Sequence, residues 1–140
     1  MSAENNKATV HRIFAAMNER NLGALDALMG PTYHNHNMPT PAPGPEGIKA
    51  VLGMFFEAFP DMNIKVEQAI GEDDTVATRG HFTGTHRGNF MGVPATGKAV
   101  RVEFVDVWRF EGGKAVENWV QMDNLGLMQQ LGVVPPPPGA

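Results

Sequence analysis

The sequence predicts an α+β fold, with helices packed on one face of a curved antiparallel sheet and a pocket between the two layers. Three observations predict it. Apolar residues recur at helical spacing over residues 3–59, and after Pro60 they alternate with a period of two. In the last third they flank Glu111-Gly112-Gly113-Lys114, a strong tight-hairpin signal. Helices first and antiparallel strands afterwards is the order of an α+β domain. A curved sheet facing helices leaves a cavity at its wide end, which is a default ligand site.

The elements follow in order. Val10, Ile13, Phe14 and Met17 share one face of a helix over residues 3–20. Leu22, Leu25, Leu28 and Met29 predict a second short helix, with Gly30-Pro31 as its stop signal. Residues 32–45, TYHNHNMPTPAPGP, read as an extended loop, because Pro39, Pro41, Pro43 and Pro45 forbid a long helix or a central strand. Pro45 can open a third helix over about residues 45–59, whose stripe is Ile48, Val51, Leu52, Phe55, Phe56 and Phe59. Ile64, Val66 and Ile70 alternate with polar residues and predict a strand. Residues 71–74 then turn the chain into a second strand over residues 75–83. A Gly-rich segment, residues 84–98, leads to a third strand, VRVEFVDVWRF, and a fourth, AVENWVQMD. A short helical turn is expected over residues 125–131, and the tail PPPPGA should be extended and mobile. The expectation is one domain over residues 1–134 with a Pro-rich tail, residues 135–140.

Composition narrows the function classes. The chain has 140 residues, 42% of them hydrophobic, enough for one domain with one core. Its formal net charge is -4 and its eleven Lys and Arg are scattered, which argues against nucleic-acid binding and against a basic membrane-surface helix. There are no cysteines, so disulfides, thiolate metal sites and cysteine nucleophiles are excluded. The polar N-terminus lacks a signal-peptide core, and no stretch approaches the roughly 20 apolar residues of a membrane span. A cytoplasmic location is expected.

The hairpin turn locates a candidate site. If Glu111 pairs with Lys114 and neither strand carries an extra residue, Val102 faces Asp123, Phe104 faces Gln121, Asp106 faces Trp119 and Trp108 faces Glu117. Phe104, Asp106, Trp108, Trp119, Gln121 and Asp123 then share one face. A bulge would undo this assignment. The opposite face carries Val105, Val107, Val116, Val120 and Met122 with Glu103 and Arg109, so both faces should be covered, by helices or by a second subunit. A carboxylate among aromatic groups is desolvated, which raises its pKa and suits it to proton transfer near neutral pH. Asp123 can equally be the cap of the helical turn that starts at Asn124. Asp106 can equally be a hydrogen-bond partner of a Trp indole.

Several motifs carry a resemblance. GTHRGNFMGVPATGK, FEGGKAVENWVQMDNLGLMQQLG, AFPDM and YHNHN together resemble the SnoaL-like polyketide cyclase, or ester cyclase, group of the NTF2-like superfamily, over about residues 7–133. The resemblance implies the cone-shaped fold of that superfamily. It also implies an acid/base enzyme without metal or organic cofactor, acting on a small hydrophobic carbonyl compound, as in aldol ring closure of a polyketide ester. The catalytic acid/base would be the Asp of the E-x-W-x-x-x-D motif, here Asp123, preceded by Glu117 and Trp119. A His at the pocket wall would be His36. Family sheets often pack against a second subunit, so a homodimer or homotetramer is expected.

The remaining polar candidates are less determined. His34 and His36 share a face if extended, but a zinc site needs three or four ligands and no further one lies nearby in sequence. Asn35 is a candidate wall residue. His81 lies on the same side of its strand as Arg79, facing either pocket or solvent, and His86 reads as structural. An epoxide-hydrolase reading lacks the required Arg two residues from Asp106, where Phe104 and Trp108 stand. The residues are also compatible with a ketosteroid-isomerase-like proton shuttle, with Tyr33 as a donor, and with a non-catalytic ligand binder.

Overall fold

A computed structural model describes residues 2–139; Met1 and Ala140, the last residue of the expected tail, lie outside the described residues. Helix α1 (Ala3–Asn18) starts where the Ser2 hydroxyl accepts a hydrogen bond from the Asn5 N–H, and it buries the face carrying Val10, Ile13, Phe14 and Met17. After a 3-10 turn (Leu22–Ala24) comes the single-turn helix α2 (Leu25–Leu28), then strand β1 (Met29–Asn35). Helix α3 (Pro45–Ala58) carries Pro45 in its first turn, and Phe59 and Pro60 follow its end. Strands β2 (Asn63–Glu72), β3 (Thr75–Thr85), β4 (Ala99–Glu111) and β5 (Lys114–Met122) precede helix α4 (Asn124–Leu131).

The strands form one curved, open, five-stranded sheet in the order β1-β5-β4-β3-β2. β2 through β5 are antiparallel neighbours, and β1 joins the far edge parallel to β5. The core lies between the sheet's inner face and the helices. Val10, Ile13 and Phe14 from α1 meet Val76, Phe82, Phe104 and Trp108 from the strands, all buried. Phe14 stacks on Phe104 at 5.7 Å and meets Trp108 edge-on at 5.8 Å. Arg20, in the left-handed region at φ 60°, clamps the end of α1 to the start of β2. Its guanidinium donates to the Met17, Pro60 and Met62 carbonyls and lies over the Phe56 ring at 4.0 Å.

Three expectations need correction. The second helix does end before Gly30-Pro31, but no loop follows; both residues lie inside β1, a fifth strand that begins at Met29 and also takes in the first residues of the expected loop. A proline is tolerated there because β1 is an edge strand, with a neighbour on one side only. The alternation of Ile64, Val66 and Ile70 is broken by a bulge: Val66 pairs with Gly80, then Gln68 with Arg79, so Glu67 is the extra residue. Ile64 therefore points inward while Ile70 is exposed on the other face.

The third correction matters most. The turn forms as expected, with Gly112 and Gly113 both at positive φ and Glu111 paired with Lys114. Phe110 pairs with Ala115, but Arg109 pairs with Glu117, which leaves Val116 as a second bulge. From that point the register is shifted by one. Asp106 faces Val120, Trp108 faces Asn118 and Phe104 faces Met122. Trp119, Gln121 and Asp123 are thereby turned away from Phe104, Asp106 and Trp108, contrary to the predicted shared face. Burial explains the choice. β4 presents Phe104, Trp108 and Phe110 to the core, all buried, and the bulge brings Asn118, Val120 and Met122 opposite that side in place of Glu117, Trp119 and Gln121.

Candidate active site

The inner face and the helices enclose a cavity of about 90 Å³, bounded mostly by apolar groups. Phe14 and Met17 come from α1, Ile48 from α3, Ile64 and Phe82 from β2 and β3, and Met38 and Met62 from the loops. Phe104, Asp106 and Trp108 line it from β4, and Asn118, Val120 and Met122 from β5. Tyr33 and Asn35 close it from β1. Methionines at four of these positions are unbranched, so the wall can repack around a ligand larger than the resting space.

Asp106 is the only acid in this lining, and it is 4% exposed. Its Oδ1 accepts from the Thr78 hydroxyl and from Trp108 Nε1 at 3.0 Å. Burial lifts its carboxyl from the ordinary aspartate range to about 7, while hydrogen bonds from Trp108 and Asn118 pull the other way. The acid is thus poised between its two forms near neutral pH. Asp106 does bond to an indole, but to that of Trp108, two residues along its own strand, and not to Trp119, which the predicted register places opposite it.

Beside Asp106 lies a cluster of fixed dipoles. Asn118 Nδ2 donates to the Val107 carbonyl at 3.0 Å, which orients its amide. Asn118 Oδ1 then accepts from Asn35 Nδ2 at 3.3 Å and from the Tyr33 hydroxyl at 3.4 Å. Burial, then the neighbouring Asp106 charge, push the Tyr33 phenol well above its ordinary range, so it remains a donor. Asn35, Asn118 and Tyr33 are all buried.

The structure distributes the candidates from the sequence unevenly. Asp106, Trp108, Phe104 and Asn35 line the cavity. Asp123 lies outside it, exposed, with Oδ1 accepting from the Gly126 N–H at 2.8 Å as the N-cap of α4. Gly126 suits that cap, because a Cβ there would run into the Asp123 carboxylate. Trp119 and Gln121 stand on the outer face. His36 is there too: its ring stacks on Trp119 at 4.6 Å and its Nε2 meets Glu117 at 3.1 Å. His81 lies in a separate outer-face groove, between Glu67 and Arg101, each about 3.1 to 3.2 Å from its Nδ1. His86 is fully buried, with Nδ1 bonded to Thr96.

Sequence reasoning did not select Asn118, Thr78, Val120 or Met122 as wall residues. A signal was present. Val120 and Met122 are apolar and share parity with Asn118, while Trp119, Gln121 and Asp123 alternate with them. Pairing the apolar set of β5 with the aromatic set of β4 requires one extra residue between the turn and Asn118. Among the described residues no group of three or more His, Asp or Glu is placed to hold a metal ion, and no helix is long and apolar enough to cross a membrane.

Known proteins place this geometry in context. TsrD of Streptomyces laurentii is similar over 96% of this chain and 99% of its own, with 28% identity and a TM-score of 0.88. AclR of Streptomyces galilaeus, a candidate hydroxylase, is 30% identical over 99% of this chain and 87% of its own, with a TM-score of 0.86. IdmH of Streptomyces antibioticus, a candidate polyketide cyclase, is 31% identical over 91% of this chain and 98% of its own, with a TM-score of 0.80. No functionally curated protein matches the chain. The family model of SnoaL-like polyketide cyclases matches residues 8–131, so with its helices, its open sheet and the cavity between them this chain belongs to the SnoaL-like polyketide cyclase family.

Proposed function

We propose that this chain is an acid/base enzyme that moves a proton on a small hydrophobic carbonyl compound, with Asp106 as the group that takes and returns it. One observation carries the reading: a carboxyl 4% exposed, lifted to about 7 by burial, in the wall of an otherwise apolar cavity. A carbon flanked by carbonyls is acidic enough for such a base. Thr78 and Trp108 occupy Oδ1, so Oδ2 is assigned the proton transfer. The Asn35 amide and the Tyr33 hydroxyl are the donors that would hold the enolate oxygen, exchanging long bonds to Asn118 for shorter ones to the ligand. The enolate carbon would then attack a second carbonyl held beside it, and the protonated Asp106 would return its proton to the new alkoxide. That sequence is an intramolecular aldol closure, and its first half alone is an isomerase-type shift.

The test follows hydrogen-deuterium exchange at the acidic carbon of β-keto esters and activated ketones by NMR, using wild type, Asp106→Asn and Asp123→Asn. Exchange lost in the first variant and kept in the second supports the reading. Exchange kept in Asp106→Asn removes Asp106 from the role. Loss in Asp123→Asn alone returns the role to Asp123.

The outer face supports a proposal about assembly. Ile70, Ala77, Val107 and Trp119 are successive cross-strand partners in one apolar row, with His36 stacked on its end. Arg79, Arg101, Glu67 and Glu103 flank it with both signs of charge. A second copy of the chain, carrying the same mixture, fits such a face. Light scattering on wild type and Val107→Lys checks this: a dimer converted to monomer is expected, and a monomeric wild type would refute it.

A further inference from the structure

Alternate residues of β1 and β5 serve opposite faces of the sheet. Asn35 and Asn118 are register partners and point into the cavity, while His36, Glu117 and Trp119 stand beside them on the outside. β1 is poorly anchored by its own ladder. It is an edge strand, its pairing to β5 is irregular between Met29 and His34, and it ends at Asn35. Immediately beyond, the His36 N–H donates to the Asn118 carbonyl at 2.8 Å. The His36 ring lies flat on Trp119, with 6° between the planes, and His34 packs edge-on against it at 4.5 Å. Its Nε2 meets Glu117 Oε1, and Arg109 holds the other carboxylate oxygen of Glu117. The side-chain contacts all lie on the side of the sheet away from the ligand space, while the backbone bond lies in the plane of the sheet.

We infer that His36 is a positioning residue: clamped between Trp119 and Glu117 on the outer face, it holds the end of β1 so that Asn35 and Asn118 present their amides to the cavity. The clamp lies next to Asn35 in sequence, and Met38 of the cavity wall follows it by two residues. Its geometric part stands alone; its effect on turnover rests on the proton-transfer reading above.

The experiment uses isotope-labelled full-length wild type, His36→Ala, His36→Phe and Trp119→Leu. His36→Phe keeps the stack and loses the bond to Glu117; Trp119→Leu removes the stack from the other side, and both positions are exposed enough for the fold to survive. NMR follows the side-chain NH2 signals of Asn35 and Asn118 and the exchange protection of the residue 36 amide. In His36→Ala both NH2 signals should shift and broaden, and protection should fall roughly fivefold to tenfold, the worth of one aromatic pair. Trp119→Leu should reproduce this and His36→Phe should restore most of it. In the deuterium-exchange assay with a β-keto ester, His36→Ala should lower kcat more than it raises KM, with recovery in His36→Phe. Unchanged Asn35 and Asn118 signals in His36→Ala would overturn the inference, as would a His36→Phe protein no better than His36→Ala. If wild type shows no exchange, the functional reading fails while the NMR comparison still decides the clamp.

Discussion

On the inner face of the sheet, Asp106 is sealed among Phe14, Tyr33, Phe104 and Trp108, and burial lifts its carboxyl to about 7. On the outer face, Glu117 lies between Arg109 and His36, and their hydrogen bonds hold its carboxyl below the usual glutamate range. The two strands that carry these acids are neighbours, and Arg109 pairs directly with Glu117 in the register. Two adjacent strands thus carry, on opposite faces, an acid poised between its two forms near neutrality and one that gives up its proton readily. What differs is the access of water and the presence of a cation. Desolvation disfavours the charged form on one side, and paired charge favours it on the other.

That contrast can be broken in several ways, and the largest effect is expected on turnover. Asp106→Asn keeps an oxygen to accept from Thr78 and Trp108 but cannot take a proton, so exchange should fall by about a hundredfold to ten-thousandfold. Asp123→Asn should stay within about threefold of wild type, since Asn caps a helix as well as Asp does. In wild type the exchange rate should rise with pH and level off above about 7, where Asp106 is ionised. A rate that already levels off near pH 4 would place the base elsewhere.

The next effect is on stability. Asp106 is raised in the folded chain, so between about pH 4, where the unfolded aspartate titrates, and about 7, the native state binds a proton that the unfolded state releases. The contribution of that proton is complete below pH 4 and is lost as pH rises through 7. Asp106→Asn should remove this slope. Measured by urea unfolding, the variant should gain on wild type by a few kcal/mol on going from pH 4 to 8, at about 1.4 kcal/mol per pKa unit. A pH-independent difference would mean that the cavity admits water freely.

Smaller effects belong to the outer face. Asp123→Ala should cost about 1 kcal/mol through loss of the α4 cap, read as a lower urea midpoint with unchanged slope. Glu117→Gln should change thermal stability least, and any change should shrink as salt is raised, because the pair with Arg109 is open to water. A large, salt-insensitive loss would sharpen the contrast in an unexpected direction, showing that the face is covered in solution.

Much of this could be read in advance. The helical stripe of α1, the break at Pro60, the two-glycine turn and the order of elements all declare themselves within windows of ten or fifteen residues. Family membership was legible for the same reason, since its motifs are local strings. The fifth strand was not: nothing within residues 29–35 shows that the open edge of β5 waits beside them. A proline is compatible with that edge and with a loop alike.

The acid of the site shows the limit most plainly. The sequence by itself determined that two aspartates, Asp106 and Asp123, flank a hairpin rich in aromatic groups, and that one of them begins a helix. Only the tertiary structure decided which one is dry. The bulge at Val116 turns β5 over, because the core takes Val120 and Met122 opposite Phe104 and Trp108 and leaves Trp119 and Gln121 to the outer face. One extra residue in a strand exchanges its two faces, and the free energy that selects the register is the burial of side chains contributed by every layer of the fold at once.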